Sequence, residues 1–336
     1  MSKKIIHILV TPLCWGLGHA TRCIPIIQEI EQKGMVPIIA SDNEALVLLK
    51  KEFPHLICLE LPSYNIRYSS ENMFWNMAFQ THKLIRAAIL EHLAIRKIVK
   101  KYQIDAILSD NRYGCYHPAC YNIFMSHQLN LKIAPQFFRK KVNHFQQRLL
   151  RKFDEIWVPD FAAFPGLAGE LSHPSNYFHP KITYLQPISR IKYWETPPKQ
   201  DILVVISGPE PQRTKFEEKI LKIADALKKY KWLIVNGKPN VNFEKKMVGN
   251  IQTISHLGSY ELNKAILESK FYIGRSGYSS IMDLSKVATK ALLIPTPGQT
   301  EQEYLAKIIV DNKNYFSCSQ QQLNESTIQE ILNQID

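Results

Sequence analysis

The same pattern runs through the chain twice, and it fixes the class of fold. Short runs of Val, Ile and Leu alternate with longer amphipathic stretches. IIHILV, VPIIAS, LICLEL, DAILSD, LKIAPQ and EIWVPD read as strands, apolar throughout rather than alternating. That is the mark of a parallel sheet covered on both faces. NEALVLLKKEF and the long MFWNMAFQTHKLIRAAILEHLAIRKIVKKY read as helices between them, and Gly34 stands where the first helix should stop. The proline- and charge-rich PISRIKYWETPPKQD then interrupts, and the pattern restarts. DILVVISG, WLIVNG, FYIGRSG and ALLIPTP are strands, with KFEEKILKIADALKKY, YELNKAILES and YSSIMDLSKVA as helices.

The expectation is an α/β protein of two Rossmann-like domains facing a cleft. Residues 1–190 form the first and 191–319 the second. A C-terminal helix within 320–336 packs back towards the first. A chain of 336 residues is long for one core, which agrees.

Charge narrows the partners. The formal net charge is +12, which favours an anionic ligand or surface. No apolar run approaches the ~18 residues of a membrane helix. MSKKIIHILV imitates a leader briefly, but His7, Pro12 and the glycine turn break it, so a cytoplasmic protein is expected. Cys115 and Cys120 bracket His117, yet no second pair completes a zinc set, and buried thiols are the expectation. Nucleic acid is disfavoured: the basic residues are not interleaved with the Gly-aromatic elements of an RNA-binding sheet.

Two turns carry the chemistry. In WGLGHATR, Gly16 and Gly18 lie between the first strand and helix, where glycine lets backbone approach a ligand. His19 follows at the helix start, which favours a neutral ring fit for a general base. Arg22, one turn on, is placed to meet an anion. A tight turn with an exposed histidine accounts for the same letters. In the second half, Arg275, Ser276 and Gly277 close a strand before a helix carrying Ser279, Ser280 and Asp283. Phosphates on the Gly277–Ser280 backbone and ribose on Asp283 is one reading; an N-capped helix is the other. Ser207, Gly208 and Arg213 mark the first strand-to-helix turn of the second domain. Gln299 and Gln302 lie in a polar loop able to bind a sugar. Asp110 and His127 stand at or just after strand ends of the first domain, where lining the same cleft is one reading and an ordinary turn residue the other. FFRKKVNHFQQRLLRKF interleaves basic and aromatic residues at helical spacing, as in helices lying on anionic membranes or as a core stripe with a solvated face.

These residues together resemble the MurG-like glycosyltransferases of GT-B fold, with a family 28-like C-terminal domain. The resemblance rests on Gly16, Gly18 and His19; on Ser207 to Arg213; on Asn236-Gly237-Lys238; on RSGYSSIMD, with Asp283 at the ribose position; and on Pro295 to Gln302. It implies a nucleotide-sugar donor, a UDP-sugar, in the second domain and a saccharide or lipid-linked acceptor in the first. His19 would act as base, and neither metal nor cofactor would be needed. Pro209 and Pro211 depart from the family's glycine- and serine-rich turn and remove amide donors. The same start is similar to nucleotide-sugar hydrolases, and 2-epimerases share the architecture. A basic surface-binding module without enzymatic activity is the remaining alternative.

Overall fold

The computed structural model describes residues 6–64, 81–132, 136–174, 181–238 and 242–335. The chain divides between Ile188 and Ser189 into two compact units. In the first, β1 (His7–Pro12), α1 (Gly18–Gln32), β2 (Val36–Ser41), α2 (Asn43–Glu52) and β3 (Cys58–Glu60) come in succession. After them follow α3 (Thr81–Tyr102), β4 (Ala106–Asp110), β5 (Tyr121–Met125), α4 (Gln136–Leu150), β6 (Glu155–Val158) and β7 (Ile182–Tyr184). Their sheet order is β3-β2-β1-β4-β5-β6-β7, with parallel pairing throughout.

Both faces of this sheet are covered, which is why its strands read as unbroken apolar runs. Val10, Ile39, Leu108 and Ile123 pack with α1 and α2. Leu9, Ile38 and Ile107 face α3, and Phe124 and Ile156 face the end of α4. Gly34 ends α1 in the left-handed conformation, with Gly34 N–H on Glu31 and Met35 N–H on Ile30. That is a Schellman stop, which satisfies carbonyls the helix would otherwise leave open. Pro25 lies inside α1.

Two elements of this unit differ from the sequence reading. The strand expected at LKIAPQ is absent where described: Leu131 and Lys132 are irregular and α4 begins at Gln136, while 133–135 lie outside the described residues. The strand is YNIFM instead. Asn122 hides it, a polar residue inside an apolar run, yet buried because its side chain is fully engaged. It accepts from His117 N–H at 2.8 Å and donates to the carbonyls of His117 and Cys120. Cys115 and Cys120 are buried in the same layer, Cys120 Sγ donating to the Ile104 carbonyl. The N-terminal part of the long helix, residues 73–80, lies outside the described residues.

The second unit repeats the plan with β8 (Gln200–Val205), α5 (Gln212–Ala226), β9 (Trp232–Val235), β10 (Lys245–Val248), β11 (Ile251–Ile254) and α6 (Ser259–Leu267). It continues with β12 (Ser269–Arg275), α7 (Tyr278–Leu284), β13 (Lys290–Ile294), α8 (Thr300–Ile309), β14 (Tyr315–Ser317) and α9 (Glu325–Ile335). The order is β10-β11-β9-β8-β12-β13-β14, with β10 antiparallel on β11 at the edge. Ile328, Ile331 and Leu332 of α9 are buried with Phe216 and Ile220 of α5. The last helix, set apart in the sequence reading, therefore completes the core of the second unit.

Candidate active site

In the first sheet the strand order turns back between β1 and β4, so loops leave their C-terminal ends in opposite directions and an opening forms there. Pro12 pairs with Asp110, and Asp110 with Met125, so the ends of β1, β4 and β5 lie side by side. The first feeds the loop into α1, the second ends on Asp110, and the third is followed by Ser126 and His127. Gly16, at φ +78°, supplies the left-handed step that the loop needs. Gly18 then opens α1, which puts His19, Arg22 and Cys23 on one helix face.

That face meets Asp110. Arg22 Nε donates to Oδ2 at 2.7 Å and Nη2 donates to Oδ1. His19 Nδ1 lies 2.9 Å from Oδ1, and Cys23 Sγ donates to Oδ2. Arg22 Nη1 also reaches His127 Nδ1 at 3.2 Å. Asp110 is 0% exposed and Arg22 only 2%. Burial by itself raises the Asp110 carboxyl, but the Arg22 charge and then His19 reverse this and hold it well below the usual carboxylate range. The group is thus an anion at every working pH. Arg22, expected from the sequence to meet a ligand anion, spends its guanidinium on this carboxylate. His19 Nδ1 is also 2.8 Å from Arg22 Nη2. One tautomer donates from Nδ1 to Asp110 and leaves Nε2 with a lone pair; the other accepts from Arg22.

In the second sheet the order turns back between β8 and β12. Ser207 and Gly208 follow β8, Gly237 follows β9, Ser276 and Gly277 follow β12, and the Thr296–Gln302 segment follows β13. Four adjacent strands therefore carry the residues singled out in the sequence to one edge. Gly237 is required for space: a Cβ there would sit 2.3 Å from the Ile206 carbonyl oxygen. Ser276 Oγ donates to the Gln302 carbonyl, and Gln302 Oε1 accepts from Thr296 N–H at 2.8 Å. Gln299 is the N-cap of α8, so the expected polar loop is the start of a helix. Glu303 folds back over this start, accepting from Gly298 N–H at 3.1 Å.

Three basic and acidic groups stand differently from the expectation. Arg275 is buried beneath Phe216, its guanidinium carbon 4.2 Å from the ring centroid. It donates to the carbonyls of Pro295 and Gln212, and burial lowers it to about 10. Its Nε and the Thr296 hydroxyl have no hydrogen-bond partner among the described residues. Both look towards Gly208, where a Cβ would meet Thr296 Oγ1 at 3.6 Å and Arg275 Nε at 4.0 Å. At the start of α5, Glu210 accepts from Thr214 N–H and Oγ1 and pairs with Arg213. The chain's own carboxylate thus occupies the helix end where Pro209 and Pro211 already remove amide donors, and it pairs with Arg213. Asp283 lies late in α7 and accepts from Ser189 Oγ, a contact the sequence gave no sign of. Ser279 and Ser280 are half-buried in the first turn of the same helix.

Comparison with known proteins agrees with this plan. Residues 202–336 match the family model of the glycosyltransferase family 28 C-terminal domain. A relative from Methanosarcina mazei, described as an uncharacterized glycosyltransferase, is 23% identical over 311 residues, covering 88% of this chain and 80% of its own. The crystal structure of Acinetobacter baumannii MurG matches with a TM-score of 0.57 at 13% identity, over 99% of this chain and 91% of that one. LpCGTa, solved in complex with UDP, matches with a TM-score of 0.63 at 11% identity, over 99% and 90%. Fold and domain together define the class: a glycosyltransferase of the GT-B type. Within that class its C-terminal half is similar to family 28.

Proposed function

We propose that the protein moves a sugar from a nucleoside-diphosphate donor, a UDP-sugar, to a hydroxyl of a saccharide or lipid-linked acceptor. The observation that carries this is the contact of His19 Nδ1 with the buried Asp110 carboxylate at the mouth of β1 and β4. With Nδ1–H donated to Asp110, Nε2 keeps its lone pair and can serve as a general base. The acceptor hydroxyl gives its proton to Nε2 as its oxygen attacks the anomeric carbon. The bond from that carbon to the diphosphate oxygen breaks, and the nucleoside diphosphate leaves with the electron pair.

The donor belongs to the second unit, with its ribose on Asp283 and its diphosphate beside Gly208, where Arg275 supplies a buried positive charge. LpCGTa, a structural neighbour that holds UDP, supports this choice of base. Asp283→Ala is expected to weaken UDP binding by ~1–3 kcal/mol in calorimetry, the worth of a charged hydrogen-bond partner. With labelled UDP-sugar and a chelator, free sugar should form slowly, and a lipid or saccharide extract should accelerate turnover. Fast release of sugar in water alone would point to the hydrolase instead.

A lipid-linked acceptor fits the outer surface of the first unit. Phe137 and Phe145 of α4 are 72% and 58% exposed, among Arg139, Lys140, Lys141 and Arg148. Ile85, Ile89 and Leu93 form a second exposed row along α3. Such a surface binds anionic leaflets through apolar insertion and charge. Binding to phosphatidylglycerol vesicles is expected to fall with salt, and further when Arg139, Lys140 and Lys141 are replaced by Gln. No binding at low salt would remove the membrane from the proposal.

A further inference from the structure

The segment entering the second unit is fixed to the proposed donor site by a specific set of contacts. Ser189 Oγ donates to Asp283 Oδ1 at 2.5 Å and accepts from Ile191 N–H at 2.9 Å. Because its lone pair takes the amide proton, its own proton is directed to the carboxylate. Arg190 Nε lies 4.0 Å from Asp283 Oδ2 and has no hydrogen-bond partner among the described residues; Nη1 reaches Ser259 Oγ at 3.3 Å. Lys192 and Asn263 then exchange two hydrogen bonds, Lys192 N–H to Oδ1 at 3.1 Å and Nδ2 to the Lys192 carbonyl at 2.9 Å. Residues 189–192 are thereby held on α6 and α7.

We infer that Ser189 and Arg190 are positioning residues for nucleotide recognition, setting the Asp283 carboxylate to read the ribose 2′,3′-diol. This rests on Asp283 being the ribose acceptor, as proposed above. An aspartate carboxyl turns over a broad torsional well, so its direction must be set from outside. Ser189 pins Oδ1. Arg190 supplies the positive charge that opposes the effect of burial on this carboxyl. Oδ2 then remains to accept from the sugar. Nearby, the Tyr272 ring lies over Gly274, where a Cβ would come within 2.6 Å of the phenol oxygen. An acceptor-only group fixed in this way distinguishes a diol from a deoxyribose, which has one donor fewer.

The test is calorimetric titration of the full chain with UDP and with 2′-deoxy-UDP. The wild-type protein is expected to prefer UDP by ~10-fold or more, the worth of one hydrogen bond to a charged group. Ser189→Ala should bring the two affinities within ~2-fold by weakening UDP alone, and Ser189→Thr, which keeps the hydroxyl, should restore the preference. Arg190→Gln should also reduce it, giving an independent reading should Ser189→Ala fold poorly. Equal losses on both nucleotides, or an unchanged ratio in both variants, would overturn the inference and leave the two residues structural. A wild-type protein that binds both equally would overturn it too, while keeping a nucleotide site. Binding of neither would bring down the donor-site reading itself.

Discussion

His19→Ala is expected to leave UDP affinity unchanged while turnover on the acceptor falls by ~10²–10⁴-fold, the usual worth of a positioned general base. The first half follows from the division of the chain: His19 belongs to the first unit, and the residues proposed to hold nucleotide belong to the second. The second half follows from the imidazole's place beside a buried carboxylate that does not titrate in the working range. Asp110→Asn should cost a comparable factor for a different reason. An amide in place of the carboxylate can donate to Nδ1, which moves the ring proton to Nε2 and removes the lone pair the reaction needs. Arg22 sharpens the comparison, since it competes for both Asp110 Oδ1 and His19 Nδ1. Removing the acid therefore leaves Arg22 free to donate to the ring, reinforcing the inactive tautomer. His19→Ala and Asp110→Asn combined should be little worse than either alone, because the two act as a unit. A His19→Ala enzyme turning over at near the wild-type rate would move the base elsewhere, with His127 the first alternative to replace.

Much of this architecture is legible in the letters because a doubly covered parallel sheet leaves an undiluted apolar signal. Where the signal is diluted, the reading fails. Asn122 breaks YNIFM chemically though not structurally, since the 117–122 turn consumes its hydrogen bonds. Lys245 and Lys246 make β10 look like a loop, although charged residues are ordinary on an exposed edge strand. Gln299 to Glu303 look like a solvated loop, although Gln302 and Glu303 fold back on the turn they leave. The candidate site divides in the same way. Asp110 and His127 stand at strand ends and His19 at a helix start, and such boundaries are what periodicity locates. The partner of Arg22 is 88 residues away, a distance that only the sheet order closes. That Arg275 lies beneath Phe216 and reaches the carbonyls of Pro295 and Gln212 is equally invisible in the letters. Ser189 and Arg190 sit in the stretch whose prolines mark the boundary, where no periodicity points at anything.

The largest stability effect is expected at Arg112, two residues after Asp110. This side chain is fully buried and joins three elements: Nη1 pairs with Glu91 Oε1 of α3 at 2.6 Å, Nη2 pairs with Asp42 at the end of β2, and Nε donates to the Pro12 carbonyl at 3.0 Å. Tyr64 donates its phenol proton to Glu91 Oε2, and Trp15, in the loop before His19, packs edge-on against the Tyr64 ring. Arg112→Met preserves much of the volume but leaves two buried carboxylates without their cation. Breaking such a pair costs ~3–5 kcal/mol, which at ~2–4 °C per kcal/mol for a unit of this size lowers Tm by roughly 6–20 °C. The loss should depend on pH in a stated direction. Even with Arg112 beside it, burial raises the Glu91 carboxyl to about 8, with Tyr64 and a backbone contact opposing, and removing the guanidinium raises it further. A raised folded value above the unfolded ~4.3 means the folded state binds the proton more tightly. The contribution is then fully present below pH ~4.3 and is lost as pH rises towards 8 in the parent, while the variant, with a higher value, goes on losing it, so the deficit should widen above pH about 8. Adding Glu91→Gln and Asp42→Asn to Arg112→Met removes the stranded charges and should recover much of the loss and flatten its pH dependence. An Arg112→Met protein that melts within ~2 °C of the parent at pH 8 would show that the cluster carries no such energy.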